Sequence, residues 1–126
     1  MMDAQPQCSE ANRGSLAILW AGWLLGPLAW ALHENVSCVL VWHVCGEGDP
    51  ALQLGVTLAT LAVAACGCAM GLLALRRLPA GDATHHHVRR ARFLGIGGAA
   101  LSAISLLGIA IGSIPMLLLD PCAGIP

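Results

Sequence analysis

The stretch "AWALHENVSCVLVWHVC", residues 29–45, sets His33, Glu34 and Asn35 inside a run otherwise apolar enough to cross a membrane. His33 and Glu34 can exchange protons, and all three side chains make strong hydrogen bonds. An ionised carboxylate at mid-membrane costs at least about 2.5 kcal/mol, so such a residue is expected to face other helices, stay protonated, or both. Two kinds of chemistry are open to it. The trio can bond across helices and set their register, or it can serve a proton relay or ion path as part of a larger assembly.

Partners for the trio recur at helical spacing elsewhere. Gln53, Thr57, Thr60, Ala64, Gly67 and Gly71 form one small-and-polar stripe, and Gly98, Ser102, Ser105, Gly108 and Gly112 form another. Counting about 1.5 Å per residue from the outer ends of their segments puts Thr60 and Ser105 near the level of Glu34. The expected midplane cluster is therefore His33, Glu34, Asn35, Thr57, Thr60 and Ser105. Gly67, Gly71, Gly98, Ser102, Gly108 and Gly112 are expected to let the helices pack closely. His33 and Glu34 diverge by about 100° around a helix, so both cannot face the same neighbour. One of them can face another subunit.

The six cysteines divide by position. Cys8 lies in the polar N-terminal stretch, while Cys38, Cys66 and Cys68 lie within apolar segments as small packing residues. Cys45 and Cys122 each follow an apolar segment by a few residues at the same outer face. A disulfide between them would clip the first segment to the third. The alternative is a Cu(I) site from His43, Cys45, Met116 and Cys122, a thiolate, thioether and imidazole set. Haem is not expected, because His33 and His43 share one helix about 15 Å apart and the later segments hold no histidine. The run His85, His86 and His87 sits among arginines and reads as solvated, near anionic headgroups. No nucleotide loop, zincin pattern or Ser/His/Asp set occurs, so no enzyme, cofactor or nucleic-acid partner is expected.

These residues must be positioned by three apolar segments, 16–44, 51–75 and 93–119. Each exceeds the roughly 20 residues a helix needs to span a bilayer core. The chain is 57% hydrophobic and only 10% charged, against about a quarter charged in soluble domains. An all-α bundle of three transmembrane helices follows, at about 15–45, 51–76 and 90–119 within a membrane domain of residues 15–122. Residues 1–14 read as a poorly ordered polar tail and 123–126 as a short end. The first segment is too long for a signal peptide and lacks a cleavage site. Arg13 precedes the first segment, and Arg76, Arg77, Arg89, Arg90 and Arg92 cluster around the second linker. Glu47, Asp49 and Asp120 lie on the opposite side. By the positive-inside rule the N-terminus is cytoplasmic and the C-terminus periplasmic. Trp20 and Trp42 are separated by about 33 Å of helix, so residues near 31 lie at mid-membrane.

"GPLAWALH" at 26–33, Cys45 after the first helix, the arginine-rich middle loop, Pro115 and the terminal "LLLDPC" at 117–122 resemble a group of small three-helix bacterial membrane proteins. Members of that group are often encoded near haem-copper cytochrome oxidases. This chain departs from the group at "HENVSC", where a more neutral polar stretch is expected. The resemblance implies a bacterial inner-membrane accessory or assembly component beside a terminal oxidase, with oxidase subunits as partners. A proton-conducting homo-oligomer using Glu34 and a periplasmic copper handler are the alternatives.

Overall fold

The computed structural model describes residues 5–47, 51–78 and 86–119. They form three helices, α1 (Gln5–Glu47), α2 (Ala51–Arg76) and α3 (His86–Leu118). All three contain a stretch long and apolar enough to cross a membrane: Leu16–His43, Ala51–Arg76 and Val88–Met116. Each helix packs against both others.

The apolar segments explain why helices form, since a backbone in lipid must satisfy its own hydrogen bonds. The helices also run beyond the apolar segments. Helix α1 begins at Gln5 rather than near residue 15, and α3 at His86 rather than near 90. Hydropathy marks where lipid contact ends, whereas a helix continues while its residues permit. Residues 5–13 contain good helix formers, and Pro6 sits in the first turn, where its missing N–H costs little. Arg76 closes α2 as a cation at the negative end of the helix dipole, and Leu78 N donates to Leu75 O at 3.3 Å in a tightened last turn.

The interior is unlike that of a soluble domain. The buried residues include His33, Ser37, Thr60, Ser102, Ser105 and Ser113, while Ile109 and Ser102 are the largest fully buried side chains. Large apolar residues such as Leu28, Leu32, Val39, Leu58, Ile104 and Leu107 point outward. In lipid the apolar residues gain nothing by turning inward, so close backbone approach and interhelical hydrogen bonds bring the helices together.

Glycine contacts set the register. A Cβ built on Gly22 would lie 3.2 Å from Gly71 N, one on Gly67 would lie 3.2 Å from Gly26 N, and one on Gly71 would lie 2.8 Å from Ala99 N. Residue numbers therefore fall along α2 as they rise along α1, which makes the two antiparallel. Against α3, Gly22 meets Ser102 and His33 meets Ser113, both at a constant offset of 80. Helices α1 and α3 are parallel. Ala29, Ala64 and Ile109 share one level in this register and form an apolar layer, with Leu61 and Leu106 packed against it.

Candidate functional site: a polar axis through the bundle

Polar contacts lie above and below that apolar layer. Toward the arginine end, Ser102 Oγ donates to Gly22 O at 2.9 Å and Trp23 Nε1 donates to Leu94 O at 2.8 Å. Gly26 and Pro27 lie within the continuous α1 here, and proline removes the backbone donor that Trp23 O would receive. The hydroxyl that reaches this turn from α3 goes to the neighbouring Gly22 O.

His33 occupies the centre of the next rung and is 3% exposed. Its Nδ1 lies 3.2 Å from Thr60 Oγ1 on α2, and its Nε2 lies 3.5 Å from Ser113 Oγ on α3. Both hydroxyls also reach their own helices. Thr60 Oγ1 is 2.9 Å from Val56 O and 3.0 Å from Thr57 O, and Ser113 Oγ is 2.7 Å from Ile109 O. A hydroxyl has one hydrogen, so one bonded to its own carbonyl can only accept from the ring. A neutral imidazole carries one N–H and one acceptor nitrogen. One hydroxyl must then turn its hydrogen toward the acceptor nitrogen of the ring.

One turn outward, Gln53 Nε2 donates to Ser37 Oγ at 2.8 Å. Gln53 Oε1 is buried and has no hydrogen-bond partner. Thr57 is part-buried and its hydroxyl bonds back to Gln53 O at 3.0 Å.

Glu34 and Asn35 face away from this axis. Asn35 Nδ2 donates back to Ala31 O at 2.7 Å, leaving its oxygen outward. Glu34 lies on the flank of α1 nearest α3, in line with Trp23 and Trp30. Cβ atoms built on α3 show the match: at Gly97 one would lie 2.7 Å from the Trp23 ring, at Gly108 3.2 Å from Trp30, and at Gly112 3.3 Å from Glu34 Oε1. A ridge of large side chains on α1 thus follows a line of glycines on α3.

Ser105 does not join the His33 rung. It is buried, but its hydroxyl bonds to Leu101 O at 2.9 Å, and the offset of 80 puts it level with Leu25. That is eight residues, or about 12 Å, from His33. Ser113 takes the place expected of Ser105, because α1 runs farther outward than α3 and levels cannot be counted from the ends. Extending the 98–102–105 stripe by helical steps reaches Ser113, and one turn from His33 reaches Ser37, so both carried a sequence signal. Gly67, Gly71, Gly98 and Ser102 are buried at the helix contacts, Gly108 is half-buried and Gly112 is exposed.

Among the described residues the free cysteines are Cys38, Cys66 and Cys68. Cys45 is half-buried and engaged, and Cys122, its expected disulfide partner, lies outside the described residues. The described members of the copper set are spread along the axis. His43 is exposed, and the register places Met116 level with Val36, seven residues or about 10 Å below His43. No group of three or more His, Cys, Asp or Glu able to hold a metal occurs among the described residues. Of the histidine run, His85 lies outside the described residues and His86 is exposed at the start of α3. No family model, curated protein or solved structure matches this chain.

Proposed function

We propose that this chain is a non-catalytic integral membrane protein that docks, through the Glu34 face of α1, onto a larger respiratory membrane complex such as a terminal oxidase, as an accessory or assembly component. In this reading it sits in a bacterial inner membrane with its N-terminus cytoplasmic, as the arginine distribution favours. A Cys45–Cys122 disulfide would clip α1 to α3 outside the membrane, in keeping with Cys45 not being among the free cysteines.

The observation that carries the reading is the outward placement of Glu34 and Asn35 near the middle of the α1 span. Left against lipid, a carboxylate there costs at least about 2.5 kcal/mol. A transmembrane helix presenting hydrogen-bond donors would relieve that cost. Ala31 and Cys38, one turn to either side, are small and outward, which permits close approach. Proton conduction through one copy is disfavoured by the Ala29–Ala64–Ile109 layer, which separates the His33 rung from the Ser102 rung.

The test is affinity capture of a tagged copy from membranes in mild detergent, with the co-purifying chains identified by mass spectrometry. Oxidase subunits should appear in fixed proportion with the wild type and Glu34→Gln. They should be lost with Glu34→Leu, which keeps a side chain of similar length beside Gly112 and whose unfolding is measured alongside as the control for the fold. A homo-oligomer without other chains, or capture indifferent to Glu34→Leu, overturns the proposal.

A further inference from the structure

At the arginine end the three helices leave an open cleft of about 450 Å³. Its walls are apolar, with Ile18 and Leu19 from α1, Ala74 and Leu78 from α2 and the turn that ends it, and Ala91 from α3. Arg77 completes the lining, and a Cβ built on Gly14, at the same cleft, would meet nothing within 4 Å. The cleft straddles the limits of the apolar spans. Gly14 precedes the first span, Arg77 and Leu78 follow the second, and Ala91 lies in the first turn of the third. A bilayer places its headgroups at this depth.

Among the described side chains the surrounding charge has one sign. Arg76, Arg77, Arg89, Arg90 and Arg92 are all exposed here. Among the described residues Arg77 makes no ion pair, and only its backbone N–H is bonded, to Leu73 O. A guanidinium presents a planar fork of donors suited to phosphate oxygens. A ligand that satisfies both halves of the site must combine an apolar chain with an anionic head. The volume falls in the ligand-sized range of about 300–1,000 Å³.

We propose that this cleft seats an anionic phospholipid, with part of an acyl chain between the apolar walls and the headgroup phosphate on Arg77. The site is separate from the Glu34 face, so it stands whether or not the chain docks on an oxidase.

Native mass spectrometry of the purified full chain in detergent tests it, titrating phosphatidylglycerol against phosphatidylcholine of the same acyl length. Phosphatidylglycerol should bind the more tightly. Arg77→Gln should weaken it by about five-fold, the worth of one arginine near an anionic lipid surface. Gly14→Leu, whose Cβ enters open space at the cleft, should weaken both lipids. Arg92→Gln, which removes an exposed arginine outside the cleft lining, should retain binding. Equal binding of the two lipids overturns the proposal. So do equal losses from Arg77→Gln and Arg92→Gln, which would mean a diffuse charged surface. Displacement of the lipid by inorganic phosphate alone would make a free anion the ligand and overturn it too.

Discussion

Gly26→Ala adds one methyl group at the tightest of the described glycine contacts. The new Cβ would lie 2.5 Å from Ser102 Cα, 2.6 Å from its Oγ and 2.9 Å from its Cβ. Carbon atoms settle at about 3.5–4.0 Å, so α3 must retreat by roughly 1 Å at this level. Overpacking costs about 1–3 kcal/mol, and the upper end applies because the opposing atom is backbone. The same retreat weakens the bond from Ser102 Oγ to Gly22 O, worth about 0.6 kcal/mol for an average bond between membrane helices. Alanine in place of glycine returns about 0.5–1 kcal/mol of helix stability. The net expectation is a loss of about 3 kcal/mol. Gly55→Ala is the matched control, since nothing lies within 4 Å of its Cβ and only the helix gain should remain. Reversible unfolding in mixed micelles with rising dodecyl sulfate, followed by tryptophan fluorescence, measures both. The two variants should differ by more than a hundred-fold in folding equilibrium. If they unfold at the same detergent fraction, the helices are not held in register by close glycine contacts, and the level assignments built on them fail.

Two further outcomes can be measured on the same protein. His33→Ala deletes contacts to Thr60 and Ser113 and opens a cavity on the bundle axis, so it should lower stability by about 2–3 kcal/mol, with His33→Gln losing less; unfolding of His33→Ala together with the wild type would deny the rung a structural role. Denatured without reductant, the chain should bind two fewer maleimides than after reduction, and Cys45→Ser should abolish that difference and cost about 2–4 kcal/mol of stability. Equal counts before and after reduction would remove the disulfide.

Much of this architecture was legible because lipid imposes one simple demand, a run of about 20 apolar residues per helix. Helix α2 spans Ala51–Arg76, the bounds its hydropathy suggests. Register was harder to see. Helix α3 ends at Leu118, level with Cys38 under the offset of 80, while α1 continues to Glu47. Levels counted from the outer ends therefore err by several residues, which displaced Ser105 from the His33 rung and left Ser113 out of it. The glycines at 22, 26, 67 and 71 carry the register, and their pairing is a property of two helices together that no single stripe displays.

The same register explains why His33 turns inward and Glu34 does not. Rotating α1 by the roughly 100° that separates them would bring the carboxylate onto the axis. It would also lift Trp23 and Trp30 from Gly97 and Gly108, separate Gly22 from Gly71, and break the bond from Trp23 Nε1 to Leu94 O. Each tight contact is sensitive to a single methyl group at about 1–3 kcal/mol, and together they outweigh the roughly 2.5 kcal/mol at stake for one carboxylate on the insertion scale. Packing therefore holds Glu34 outward whatever the carboxylate would favour. In the proposed docking mode, relief comes from outside the bundle. For that reason the fate of Glu34→Leu in a capture experiment, read beside the variant's own unfolding, tests the proposed partner.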